Sequence, residues 1–504
     1  MPREAGVARA WPLLGAGAVV ELLALSGVLP ARPDLVHAIS LPPLDLTFDL
    51  GALLGRATGP AWFAFGLVLA ITGRATILSL MLGSLRRWWF ALRFELVVLV
   101  PSFLAAELAY CGQAVLYSAL FWVGVVLAVA WTVVFAHVPW RGSSSVLSTI
   151  GSGLRDGPRL PTVLSYLAAL GVLGALVRGG GKAPPLIGVG VSVLLTVAAA
   201  RRLSRPPTAL MATRLAVVVL AAALVALSLT NTSVSVPHSA QRPGELVVVA
   251  GMDTSSGHGS LFSLRPSYLG FSCERTRYYS YAGPGPGAPQ AQAACPITTG
   301  SRYTRVDTER PLPELVSSFR AQVDRLAPPV TVITHSSGAW VAWAAVSGDR
   351  ATPVRRIVML APLSDPHGYP PPGTNAGGTV GAAGMRLVVA IANWEGFSHF
   401  DPDRPLATAL LGSPRAARAL LERPLQRQVQ ALAVPSAYDL VLFSTSNPFG
   451  RAQAACALFQ SHGAVSTSAA AAADADRFLS GRLQLPCARW PSWAADAASG
   501  FQVP

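Results

Sequence analysis

The first half of the chain is a succession of apolar stretches separated by short polar turns, and the second half is not. Runs near the roughly 20 residues that cross a bilayer fall at 11–29, 61–84, 94–111, 114–136, 161–177, 184–200 and 211–230. They predict a bundle of about seven transmembrane helices over residues 1–230. Glu21, Arg74 and Glu107 stand well inside these spans. A charge at mid-bilayer costs on the order of 3 kcal/mol. Such groups are therefore expected to pair, and Glu21 and Arg74 both lie near the middle of their spans. The alternative for the same residues is a polar path or a headgroup site. Trp88, Trp89 and Phe90 beside Arg86 and Arg87 read as an interfacial belt.

Residues 231–244 are polar and turn-rich and read as a linker. Beyond them the period changes. Short β-branched runs at 245–251, 277–281, 330–334, 356–361 and 439–444 predict buried strands. Between them, Leu312, Leu315, Phe319, Val323 and Leu326 mark one face of a helix, and 339–346 and 467–480 carry further helix patterns. Strands alternating with helices predict an α/β domain with a mostly parallel sheet covered on both faces, over residues 245–504.

Composition supports this division. Hydrophobic residues make up 52% of the chain and charged residues 13%, against about 25% charged in soluble domains. The net charge of +14 raises nucleic acid as a partner. The basic residues, however, stand between apolar stretches and form no run interleaved with aromatics, so no nucleic acid is expected. Their placement instead orients the bundle. Arg3, Arg9, Arg86, Arg87, Arg93, Arg141, Arg155, Arg159, Arg201, Arg202, Arg205 and Arg214 fall on one side, and Arg32, Arg56, Arg178 and Lys182 on the other, with Asp34, Asp45 and Asp49. The richer side is expected to be cytoplasmic. That puts the N-terminus inside and everything after residue 230 outside, on a multi-pass protein of the cell membrane whose first partner is the lipid bilayer.

Of the five cysteines, Cys111 lies in a span and Cys273, Cys295, Cys456 and Cys487 lie in the second half. An even set in an external domain predicts two disulfides. Three pairings are open; Cys273–Cys295 and Cys456–Cys487 each close a modest local loop. The spacing does not match a zinc site, and no cofactor or metal is expected.

The chemistry sits at Thr334-His335-Ser336-Ser337-Gly338, between the strand at 330–334 and the helix at 339–346. A strand, a tight turn with a central serine and a helix make a nucleophile elbow, in which strain exposes Oγ at the sheet edge. Here the chain resembles the α/β-hydrolase superfamily, whose pattern is G-x-S-x-G; Thr334 stands where the first Gly is usual. The resemblance covers roughly residues 245–481 and includes the order nucleophile, acid, histidine. It implies Ser336 as nucleophile and His462, in a loop before the last helix, as general base. His335 resembles the residue often found before the serine. The family's usual acid position, after the strand at 439–444, holds Asn447. One strand earlier lies Asp365, the expected acid, with Asp439 as a further alternative. The oxyanion would be held by the N–H groups of Ser337 and Met252, and the segment 366–430 falls where the family inserts a cap. The resemblance thus implies a membrane-anchored serine hydrolase of esterase or lipase type. Its substrate would be an acyl compound of lipid or cell-envelope kind, cleaved through an acyl-enzyme. An acyltransferase with the same serine, a non-catalytic scaffold or sensor, and a transporter with an accessory domain are the alternatives.

Overall fold

The structure, a computed structural model, describes residues 9–29, 33–114, 118–141, 159–177, 183–205, 239–348, 350–362, 403–411, 419–436 and 462–482, with short pieces between them. The apolar stretches are helices: α1 Trp11–Leu25, α3 Pro60–Met81, α4 Trp88–Ala114, α5 Ser118–Phe135, α6 Leu160–Leu176 and α7 Ala183–Ser204. By length and composition, Pro60–Met81, Leu85–Cys111, Trp122–Trp140 and Ala183–Ser204 are able to cross a membrane, and Trp11–Leu25 and Leu160–Gly174 are shorter apolar helices. Their outer faces are apolar and uncovered, as at Phe65, Val100, Ile187 and Leu176. A soluble domain rarely leaves such a surface to water; hydrocarbon suits it. The expected span at 211–230 lies outside the described residues.

One helix was not expected. The segment between α1 and α3 reads in sequence as an external turn, yet it contains α2, Leu44–Arg56, packed against α3 and α4. Leu44, Leu46, Leu50 and Leu54 are buried at 2% exposure or less. The 3.6-residue recurrence of Leu46, Leu50 and Leu54 is the signal that could have identified it. The non-helical stretch before α2 has its backbone groups satisfied by side chains. Ser192 Oγ and Thr196 Oγ1 donate to the Ile39 carbonyl at 2.9 and 3.0 Å. Tyr166 Oη accepts the Leu41 N–H at 3.0 Å. Irregular backbone at membrane depth requires this kind of pairing.

The intramembrane pairing also differs from expectation. Arg74 pairs not with Glu21 but with Asp49, whose two oxygens each accept a guanidinium N–H at 2.7 Å. Its Nη1 reaches Asp45 at 3.4 Å, and Nη2 donates to the Ala38 carbonyl at 2.9 Å. Asp45 and Asp49, placed by sequence in an external turn, are carried into the bundle by α2. Glu21 instead faces Gly190 on α7.

The second half holds a six-stranded sheet in the order β2-β1-β3-β4-β5-β6. The strands are β1 Glu245–Val249, β2 Thr276–Tyr278, β3 Val330–His335, β4 Val354–Leu360, β5 Gln430–Val434 and β6 Gln453–Ala454, with every neighbouring pair parallel. Helix α8, Leu312–Val323, packs on α9, Gly338–Val346; α12, Ala469–Leu479, packs on β4 and β5. The amphipathic face read from the sequence is the buried one, Leu315, Phe319 and Val323. A strand not read from the sequence, Gln430–Val434, runs in register with β4; the strand expected at 439–444 lies outside the described residues. Ala431 to Val434 is a short apolar run closed by Pro435, too brief to stand out by periodicity. Described parts of 366–430 include α10, Pro405–Leu411, and a contact with the bundle, where the Val380 N–H donates to the Ala57 carbonyl at 2.9 Å.

Cys273 and Cys295 form a disulfide; Cys456 and Cys487 lie outside the described residues, so their pairing does too. A loop of 22 residues closed in this way constrains the unfolded chain by about 3 kcal/mol in the chain-entropy account. Replacing both cysteines by serine is expected to lower the unfolding free energy of the sheet domain by about that amount, read by thermal or denaturant unfolding under non-reducing conditions.

Candidate active site

Every residue of β3 is buried, as is every residue of α9, so the turn between them is fixed from both sides. Ser336 in that turn has φ of +55°. Left-handed backbone is uncommon for a side chain other than Gly, Asn or Asp and stores roughly 1–3 kcal/mol of strain. The Ser336 N–H donates to the Leu360 carbonyl at the end of β4, at 3.1 Å, which helps to hold the strained conformation.

Two glycines make the turn sterically possible. A Cβ on Gly338 would stand 2.6 Å from the Ala250 carbonyl oxygen, and one on Gly251 would stand 2.7 Å from Ser336 Cβ. The end of β1 and the start of α9 therefore touch through backbone, which is the requirement read from the sequence at Gly338. Thr334, at the other flank, is fully buried, and its Oγ1 has no hydrogen-bond partner among the described residues. The position accepts a β-branched side chain but leaves its hydroxyl unused.

His462 begins the short helix α11, His462–Val465, and lies against the elbow through its neighbour in sequence order of function, His335. The two imidazole rings are 4.7 Å apart, and His335 Nε2–H donates to the His462 carbonyl at 2.9 Å. Burial, with the nearby His462, holds the His335 imidazole down to about 3, so it is neutral and its Nε2 is a donor. That excludes His335 Nε2 as a base and gives His335 a positioning role, holding the start of α11 against the end of β3. Nothing in the sequence motif distinguishes that role, because it depends on where α11 lands.

The loop after β1 meets the elbow as expected, with one addition. The Met252 N–H donates to Ser337 Oγ at 2.8 Å, so one of the two expected oxyanion donors is held by the hydroxyl next to the nucleophile. The same loop is braced from outside. Asp253, with φ of +60°, pairs with Arg305 at 3.5 Å, and its N–H donates to Thr308 Oγ1 at 3.2 Å. Buried Glu309 next to this brace meets Arg404 of the inserted segment at 3.5 Å. Burial pushes the Glu309 carboxyl up to about 7, with Arg404 opposing the shift. This contact links the insertion to the rim of the elbow and weakens as Glu309 takes a proton.

Asp365, Asp439 and Asn447 lie outside the described residues. In the sequence, Asp439 is the first carboxylate after the end of β5 at Val434, and Asp365 the first after the end of β4. Among the described residues, no group of His, Cys, Asp and Glu is arranged to hold a metal. No protein-family model matches the chain, and no curated protein matches it.

Two outcomes follow. Thr334→Val removes a buried hydroxyl without a partner and keeps the shape, so it is expected to stabilise the domain by about 1 kcal/mol, read as a raised denaturation midpoint. For His335, the folded chain excludes a proton that the unfolded chain binds below its ordinary 6.5. Stability is therefore full above that pH and declines as pH falls toward about 3. His335→Gln, which keeps a donor for the His462 carbonyl, is expected to flatten this acid limb in unfolding curves taken across the window.

Proposed function

We propose that the chain is a membrane-anchored serine hydrolase, with an α/β-hydrolase-like domain outside the cytoplasm and the segment 366–430 as its cap. The observation that carries the reading is the strained Ser336, held between a buried strand and a buried helix, with the adjacent His335 bonded to the His462 carbonyl. Strain at a residue of this type, in a turn packed on two glycines, is what a nucleophile elbow needs. The bundle and the orientation read from its arginines support a site at the outer membrane face, and so an ester or other acyl substrate of lipid or envelope type.

In this mechanism Ser336 Oγ attacks the acyl carbonyl carbon while His462 takes the hydroxyl proton. The carbonyl oxygen becomes an oxyanion, met by the Ser337 N–H and by the Met252 N–H as the oxygen displaces Ser337 Oγ from it. His462 then protonates the leaving oxygen and the acyl group stays on Ser336. Water, deprotonated by His462, attacks the ester, and the acid leaves with the proton returning to Ser336. An acyltransferase differs only in the acceptor that replaces water.

The acid that orients His462 is proposed from the order of the described strands. The resemblance puts it after the penultimate strand; among the described strands that is β5, and Asp439 is the first carboxylate in the sequence after Val434, with Asp365, the first after β4, as the second candidate.

Membranes holding the protein are to be treated with a fluorophosphonate probe. Labelling is expected in the parent and in Ser337→Ala, and is lost in Ser336→Ala. No labelling of the folded parent would overturn the hydrolase reading in favour of a scaffold or sensor. Asp439→Asn is expected to slow acyl-ester turnover by about 10⁴-fold, the loss seen when a triad acid is replaced, and Asp365→Asn is expected to have little effect; the reverse result would move the acid to Asp365.

A further inference from the structure

Four ionisable groups meet inside the membrane half: Asp45 and Asp49 from α2, Arg74 from α3 and Glu95 from α4. Three carboxyl groups thus face one guanidinium. Asp49 holds that guanidinium through two hydrogen bonds of 2.7 Å, its Nη1 is turned to Asp45, and Nη2 is shared with the Ala38 carbonyl. Glu95 is left over. It has no exposed surface, and neither carboxyl oxygen has a hydrogen-bond partner among the described residues. It is nevertheless close enough for its charge to interact with Asp45, Arg74 and Asp49. α5, which also packs on α4, has no titratable side chain over Ser118–Phe135. The turn at Leu85–Arg87 contributes Arg86 and Arg87, which are not among the charges that reach Glu95.

A buried carboxylate persists when donors or a cation are committed to it. Here the cation is committed to Asp49, and among the described residues no donor faces Glu95 and no acceptor is in place for the O–H of its neutral acid. Neither form is locked, and the two differ in their demand on Arg74. Ionised Glu95 competes with Asp49 and Asp45 for the guanidinium, and protonated Glu95 does not.

We propose that Glu95 is a proton-exchange site inside the bundle, coupled through Arg74 to the seat of α2. On release, the O–H bond of the Glu95 carboxylic acid breaks, the proton passes to water, and the carboxylate draws Arg74 from the aspartates that anchor α2. Uptake reverses each step. This gives the membrane half a chemistry of its own, independent of whether Ser336 is a nucleophile. Intramembrane ionisable groups of this kind are characteristic of proton-relaying proteins.

The full-length protein in lipid nanodiscs is to be titrated while infrared spectra are recorded. A carboxylic-acid C=O band is expected that is present at the acid end, declines reversibly as pH rises and is absent from Glu95→Gln. If Glu95→Gln does not fold, carboxyl-¹³C glutamate in a Glu107→Gln, Glu309→Gln background makes the assignment, since the shift identifies a glutamate and the other two glutamates whose carboxyls burial raises are gone. A band that does not change over the range in which the protein stays folded would make Glu95 a permanently neutral structural group and overturn the proposal. The absence of any band assignable to Glu95 would do the same, leaving a bound cation as the balancing charge.

Discussion

The membrane half is organised around Arg74. Removing a guanidinium from water is affordable only when its hydrogen bonds and charge are both met, and breaking such a pair costs about 3–5 kcal/mol because the partners are left buried. Asp49, Asp45 and the Ala38 carbonyl meet those demands together. All three belong to one stretch of chain between the first two apolar helices. Arg74 therefore holds in place a segment that hydropathy alone would leave at the surface. Once that segment is inside, its irregular backbone needs partners, and Tyr166, Ser192 and Thr196 supply them from α6 and α7. The packing of the helices and the placement of α2 are thus one problem with one solution.

The second half rests on a different constraint, the approach of two backbones. β1 and α9 come so close at Gly251 and Gly338 that no Cβ fits at either position. Parallel pairing of β1 with β3 sets the register, the register sets the turn, and the turn gives Ser336 its left-handed φ. His335 then uses its neutral imidazole to hold the strand end and the start of α11 together. Conformational strain at one residue is maintained by contacts distributed over four elements.

Much of this was legible in the sequence, and the parts that were not have physical reasons. The apolar helices, the alternation of strand and helix, the buried face of α8 and the Cys273–Cys295 pair follow from periodicity and local spacing. The elbow at Ser336 follows from a small residue two positions on and a buried strand before it. α2 was missed because Asp45 and Asp49 mark a segment as solvated, and only a partner remote in sequence cancels that reading. Glu95 passed without notice at the edge of its span for the same reason: its importance comes from Arg74 and Asp45, not from its neighbours in sequence. β5 was not read from the sequence because a short apolar run beside Pro435 carries little period-2 signal, and its presence makes Asp439 the first carboxylate after a described strand.

The two halves also meet. The Val380 N–H bonds the Ala57 carbonyl just past the end of α2, and Gly381 lies so close to Leu54 and Tyr110 that a side chain would not fit without displacing them. Gly384 stands equally close to the Glu107 carboxyl. The segment inserted between β4 and β5 is therefore seated on α2 and α4, the two helices that carry Asp45, Asp49 and Glu95. At its other end Arg404 reaches Glu309 at the rim of the elbow. A single inserted segment thus contacts both the helices around the buried charge cluster and the loop beside Ser336. A shift of α2 that altered its contacts with Val380 and Gly381 would act on the segment that reaches the rim of the elbow. A rigid anchor would need none of these contacts; an apolar helix of sufficient length holds a domain at a membrane without touching its cap.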